Sequence, residues 1–368
     1  MSIMDAKKIR DGLRKKAAGR LLLRAMSIAY IGAISLRRTL YAAGLFKSYK
    51  LPVPVVCFGN LSAGGTGKTS TVVMAAIELK KEGYNPAILI RGYKRKAPGK
   101  KLTILAEGES FSAEEAGDEA VMIFEMLRSY GIPVLVSSDR YQAGLAALGK
   151  FKSDFLLMDD GYQFFRLRRD KNIVMINATA PFHKDELMPL GDLRETSVGL
   201  DRADAVILSH CEHACQAGVE TLKEEINKLN SSAVVIESMH SPEAFVDARS
   251  NEKVSLSEFR DKKVTALSGI GDPKSFEDTL AGLKAVPVQI WRYPDHHRFT
   301  REELAAVQAT REDMPVITTY KDFARFPADW AQVIKGGVFI LSVKITFPRD
   351  GRERLMEIIA PQKPARKS

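Results

Sequence analysis

The sequence predicts an α/β protein of two domains, the first built as three α/β/α layers and the second smaller, preceded by a basic N-terminal helix. Three observations predict it. Short apolar runs alternate with longer amphipathic stretches along most of the chain, the pattern of parallel strands joined by helices. A glycine-rich segment ending in Lys-Thr follows the first of those runs and opens a helical pattern. The excess positive charge is gathered at one end.

The chain has 368 residues, and that length suggests two domains of ~150 residues each. With 45% hydrophobic and 27% charged residues it has the composition of a globular protein, which excludes disorder and collagen-like repeats. Its cysteines, Cys57, Cys211 and Cys215, suit a reducing compartment, and no segment reads as a cleavable signal peptide. The chain is therefore expected in the cytoplasm or facing it.

The net charge is +10, and residues 1–50 hold 12 Lys and Arg against only Asp5 and Asp11. The remainder carries 43 residues of each sign. A neutral body with a basic leader argues against a nucleic-acid enzyme, whose basic residues would be spread over its surface. Within the leader, Lys7, Lys8, Arg10, Arg14, Lys15, Lys16 and Arg20 precede a largely apolar run, Leu21 to Leu36. That run would make ~24 Å of helix, short of a ~30 Å bilayer core. An interfacial helix beside anionic lipid fits better than a span; a helix packed on the protein's own body is the alternative.

Strands are expected at Val53–Phe58, Ala87–Ile90, Val134–Ser137, Phe155–Met158, Ile173–Ile176 and Ala205–Leu208, with helices at Thr69–Lys81, Asp118–Tyr130 and Asp139–Leu148 between them. A polar stretch at 241–252 reads as a boundary. Beyond it come strands near Val264–Leu267, Val286–Trp291, Val316–Thr319 and Val338–Val343. The expected division is a leader at 1–45, a first domain at 46–245 and a second at 246–368.

The segment Gly59 to Thr69 carries the chemistry. Ser62, Ala63, Gly64, Gly65, Thr66, Gly67, Lys68 and Thr69 form a phosphate loop in its required context, after a strand and at the start of a helix. Glycines let backbone N–H groups curl inward around anionic oxygens, and the helix N-terminus adds its dipole. Lys68 would reach the β- and γ-phosphates of ATP and the Thr69 hydroxyl would bind Mg²⁺. Ser62 replaces the first glycine of the general pattern. Such a P-loop NTPase-like domain also needs a carboxylate at a neighbouring strand end, and Asp159 and Asp160 follow an apolar run there. One further cluster, His210 to Cys215, is read as the loop after a strand, since adjacent side chains cannot all converge on one metal.

The run Asp159-Asp160-Gly161-Tyr162-Gln163, with the loop written Gly59-Asn60-Leu61-Ser62, resembles the tetraacyldisaccharide 4′-kinase family of lipid A biosynthesis. Arg91-Gly92-Tyr93, Gly117-Asp118-Glu119-Ala120, Leu190 to Glu195, Ser268 to Pro273, Pro294-Asp295-His296-His297 and Thr318 to Asp322 extend the resemblance from about residue 20 to 345. It implies phosphorylation of a tetraacylated glucosamine disaccharide 1-phosphate at its 4′-hydroxyl, with ATP and Mg²⁺, on the cytoplasmic face of a bacterial inner membrane. It implies a lipid substrate and an anionic membrane surface as partners, with no nucleic acid and no obligate protein partner. It implies Asp118 and His296 as a proton-accepting dyad assembled by domain closure, His297 being the competing histidine and a helix N-cap the competing role for Asp118. Glu119 joins Asp159 and Asp160 in the Mg²⁺ shell, and Tyr93, Gln163 and Arg194 contact the disaccharide headgroup. Phe164 stands where the family usually has His, and Lys94 where it has Gly. The competing function is a membrane-associated P-loop ATPase acting as a nucleotide switch.

Overall fold

The computed structural model describes residues 3–63, 66–92, 95, 101–109, 111, 113–271, 273–295 and 297–360. The predicted site residues Gly64, Gly65, Tyr93 and His296, and also Lys94, lie outside the described residues. The chain forms two compact units: Met1–Arg91, Leu127–Met239 and Ile345–Ser368 in the first, Gly92–Met126 and His240–Lys344 in the second.

The first unit opens with helices α1 (Ile3–Arg14) and α2 (Ala17–Ala42). By length and composition alone α2 could cross a membrane. One stripe of it, however, is committed to protein. Gly19, Leu23 and Ser27, spaced at i, i+4, are buried. The Ser27 hydroxyl donates to the Leu187 carbonyl at 3.0 Å, and Arg38 pairs with Asp201 at 2.7 Å. Before them, Arg10 of α1 reaches Asp192 at 2.5 Å. The helix therefore lies along its own unit, while Leu21, Leu22, Met26, Ile28 and Leu36 remain exposed.

All six predicted strands of the first domain form: β1 (Val55–Asn60), β2 (Pro86–Ile90), β3 (Val134–Val136), β4 (Phe155–Asp159), β5 (Lys171–Asn177) and β6 (Ala205–Ser209). A strand not foreseen, β7 (Val234–Glu237), follows. Their order is β3-β2-β4-β1-β5-β6-β7, each neighbour parallel. β1, β2 and β4 are buried at every residue, as strands covered on both faces must be. From β1 the chain passes through helix α3 (Lys68–Lys81) to β2 on one side, and from β4 it steps over β1 to β5 on the other. The crevice at the carboxyl ends of β1 and β4 is thus a topological switch point, the usual place for a ligand in such a sheet.

The second unit's sheet comprises β8 (Met239–Asp247), β9 (Lys253–Val254), β10 (Lys263–Ser268), β11 (Val286–Arg292), β12 (Val316–Thr319) and β13 (Val338–Thr346), in the order β9-β8-β13-β12-β10-β11. β10 pairs in parallel with β11 on one side and β12 on the other, so this sheet has its own switch point between β10 and β12.

Two boundaries differ from the expected ones. The polar stretch at 241–252 is largely strand β8 and the turn into β9, because an edge region tolerates polar residues. Segment 92–126 groups with the second unit, where Asp118 meets Arg325, and the helix Gly351–Ile359 returns to the first. There it buries Leu355, Met356 and Ile359, and Arg352 pairs with Glu78. Periodicity marks a helix but not the partner it packs on.

Gly59 has no room for a side chain: a Cβ there would meet the Tyr162 Cβ at 2.4 Å. Tyr162 cannot retreat, being fully buried with its hydroxyl donating to the Gly199 carbonyl at 2.5 Å. Gly59→Ala should therefore cost about 1–3 kcal/mol of stability by overpacking. A urea titration checks this, and an unchanged midpoint would show that the contact yields.

Candidate functional site

The first site grows from the end of β1. Asn60 is buried, and its side-chain amide donates to the Thr66 hydroxyl at 3.4 Å across the base of the loop. The Ala63 N–H donates to the Asp192 carbonyl at 2.7 Å and the Arg194 N–H to the Leu61 carbonyl at 2.7 Å, so segment 192–194 is laced to the loop. Gly67, at φ 71°, takes the left-handed conformation that lets the chain turn into α3. Lys68 and Thr69 then fall in the first helical turn, as predicted.

At the end of β4, Asp159 is buried, level with Phe58 of β1. Asp160 follows at φ 50° and turns its carboxylate toward two cations. Lys68 Nζ lies 3.5 Å from its Oδ1, and Arg194 Nη1 donates to both oxygens at 2.7 and 2.9 Å. Burial works against the charge on Asp160, yet Lys68 and Arg194 outweigh it and hold the carboxyl below the usual carboxylate range. The structure thus gives Arg194 a partner, Asp160, that the sequence did not suggest.

Gln163 is tied into the protein on one side. Its amide nitrogen donates to the Asn60 carbonyl at 3.0 Å and to Glu195 at 2.7 Å, which makes it a strut beneath the loop. Glu195 is in turn buried against Arg202 at 2.8 Å. Phe164, in the family's His position, lies against the buried Arg140, whose guanidinium carbon is 4.3 Å from the ring centroid. Burial, reinforced by nearby Arg91, pulls the Arg140 pKa down to about 10. Sequence reading missed Arg140; its place just after a helix-capping Asp139 gave no sign that it would be buried.

The second site lies in the other unit. Asp118 is the first residue of helix Asp118–Leu127 and accepts from Arg325 Nε at 3.0 Å, with Arg298 Nη2 at 3.5 Å. Glu119 sits beside it, exposed. His297, the competing histidine, is engaged elsewhere: its Nε2 is 2.8 Å from Glu303 and its ring stacks on Tyr293. Asp118 and Arg298 belong to one unit and meet within it, while the expected partner His296 lies outside the described residues. His210 to Cys215 forms a short turn after β6.

The donor set at the first site, a Thr69 hydroxyl and the carboxylates of Asp159 and Asp160, is all hard oxygen and suits Mg²⁺. A family model for tetraacyldisaccharide-1-phosphate 4′-kinases (LpxK) matches residues 19–360. The chain belongs to this family. Its relatives include the tetraacyldisaccharide 4′-kinases of Elusimicrobium minutum, 40% identical and covering 93% of this chain and 91% of that protein, and of Syntrophus aciditrophicus, 38% identical with 82% and 83% covered. Among solved structures, LpxK from Aquifex aeolicus in complex with ATP is similar with a TM-score of 0.74 at 32% identity, covering 92% of this chain and 98% of that one.

Asp160 supplies a prediction. Its folded-state pKa is depressed, so its contribution to stability is present above the unfolded carboxylate pKa and is lost as pH falls through the folded one. Urea midpoints measured down through the acid range should converge for the wild type and Asp160→Asn, and separate at neutral pH. A constant gap at every pH would remove the ion-pair account.

Proposed function

We propose that this protein transfers the γ-phosphate of ATP to the 4′-hydroxyl of a tetraacylated glucosamine disaccharide 1-phosphate, giving lipid IVA. The observation that carries this reading is the reach of the family match, which spans both units and not the nucleotide loop alone. A nucleotide switch would need only the first unit, so it is set aside.

Transfer of a phosphoryl group asks for positioning and charge neutralisation. Backbone N–H groups of the loop hold the phosphates, and Lys68 leaves Asp160 to sit on the β- and γ-oxygens. Thr69, Asp159 and Asp160 would hold Mg²⁺, with Glu119 as a further donor, and the ion would neutralise phosphate charge. Arg194 keeps Asp160 ionised and offers its other guanidinium nitrogens to the substrate's phosphate. Tyr93 is assigned to contact the disaccharide headgroup. The sugar oxygen attacks phosphorus as the bond to ADP breaks, and its proton passes to Asp118 with His296 as the second member of the acceptor pair. The engagement of His297 with Glu303 supports His296 for that role.

The exposed apolar arc of α2, flanked by exposed Arg20 and Arg24, supports docking on the anionic cytoplasmic face of the inner membrane. Its substrate is a lipid, so a surface-bound enzyme meets it without extracting it.

Three outcomes test this. With [γ-³²P]ATP and detergent-solubilised disaccharide, label should appear in lipid; label only as free phosphate would return the switch. Lys68→Ala should lose at least about 10² in turnover while its circular dichroism stays unchanged. Replacing Leu22, Met26 and Ile28 together by Ser should move the protein out of the floating fraction with anionic vesicles, and unaltered flotation would place the anchor elsewhere.

A further inference from the structure

The second unit's switch point holds an arginine that the mechanism above does not use. Arg325 follows β12 by six residues and is almost wholly buried, its side chain 1% exposed. Its Nε donates to Asp118 Oδ2 at 3.0 Å, and its Nη1 donates to the Gly269 carbonyl at 3.3 Å and lies 3.6 Å from Asp322 Oδ1. Gly269 is the first residue beyond β10, and a Cβ there would meet Asp322 Oδ1 and the Pro294 carbonyl, both at 3.3 Å. The guanidinium is thus fixed from below by the ends of both strands that define the crevice.

Asp322 is itself held. It has no solvent exposure, and the Thr319 hydroxyl donates to its Oδ2 at 2.8 Å while its own N–H donates back to Thr319 at 3.1 Å. A buried cation would be matched by this one buried anion alone. Arg325 nonetheless also reaches outward, to a carboxylate 207 positions away that is 24% exposed. The other oxygen, Asp118 Oδ1, faces Arg298 at 3.5 Å, whose side chain is 47% exposed and also reaches Glu114 at 3.3 Å. One oxygen of Asp118 is pinned from the interior and the other is left toward solvent beside a displaceable partner.

We propose that Arg325 is a positioning residue for phosphoryl transfer: it locks the Asp118 carboxylate through Oδ2 so that Oδ1 is the atom that receives the substrate's hydroxyl proton. This rests on the reading of Asp118 as the proton acceptor. Fixing the carboxylate rotamer acts on the reacting step and not on nucleotide binding, which belongs to the first unit.

The test is steady-state kinetics on the full chain in detergent with ATP and the disaccharide acceptor. Arg325→Lys keeps the charge but loses the fork, and kcat should fall about tenfold with the ATP KM within about twofold. Arg325→Gln combined with Asp322→Asn removes both buried charges together, and kcat should fall about 10²-fold, so that Arg325→Lys stands as a partial rescue. Adding Asp118→Ala to that pair should cost little more, because members of one unit are non-additive. If the pair melts at the wild-type temperature and keeps kcat within about threefold, or if its loss multiplies fully with that of Asp118→Ala, the positioning role is overturned. Should the pair not fold, Arg325→Lys alone decides, and kcat within about twofold of wild type overturns the proposal. Asp118→Ala separates the two ideas: normal kcat there defeats the acceptor reading and this proposal with it, whereas a dead Asp118→Ala beside an active Arg325 variant defeats only the positioning.

Discussion

The nucleotide unit depends on one carboxylate. Asp160 stands at the end of a buried strand in a left-handed turn, with Lys68 and Arg194 on its two oxygens. Each cation comes from a different part of the chain: the phosphate loop and a segment whose backbone is stitched to that loop at Leu61 and Ala63. A charge half-removed from water needs such partners, and satisfying it fixes loop, strand end and segment 192–194 relative to one another. The Lys68 ion pair also fixes the start of α3 against the end of β4. Gln163 and Glu195 brace the arrangement from beneath.

Both units obey one topological rule. In each sheet the chain leaves two adjacent parallel strands in opposite directions, which opens a crevice at their carboxyl ends. In the first unit the crevice receives the phosphate loop and the Asp159-Asp160 pair. In the second it receives Gly269, Asp322 and Arg325, with Asp118 brought to it by the 92–126 segment. Function-bearing side chains collect where loops diverge, because only there can a ligand approach strand ends without displacing a connection.

The N-terminal helix shows how one sequence serves two surfaces. A stripe of small and apolar residues at fourfold spacing, closed by the Ser27 and Arg38 ties, fastens α2 to the protein. The arc beside it stays apolar and exposed, with basic residues at its flank.

What the sequence determined by itself is whatever follows from local order. Apolar runs with both faces to be buried marked β1 to β6 but not β7 or the short strand Thr103–Leu105, and the glycines before Lys68 announced the phosphate loop because few other backbones can turn so tightly. The charge leader was visible as arithmetic. Tertiary structure decided the rest. Arg194 pairing with Asp160, Gln163 acting as a strut, and Arg140 buried against Phe164 depend on contacts between positions tens of residues apart, to which periodicity is blind. The unit boundaries were decided the same way: a helix such as Gly351–Ile359 shows which face it will bury, but the surface that accepts the face exists only once the sheet has formed. Asp118 makes the point most directly, since its sequence context reads as a helix start, and its two arginines arrive from 180 and 207 positions further on.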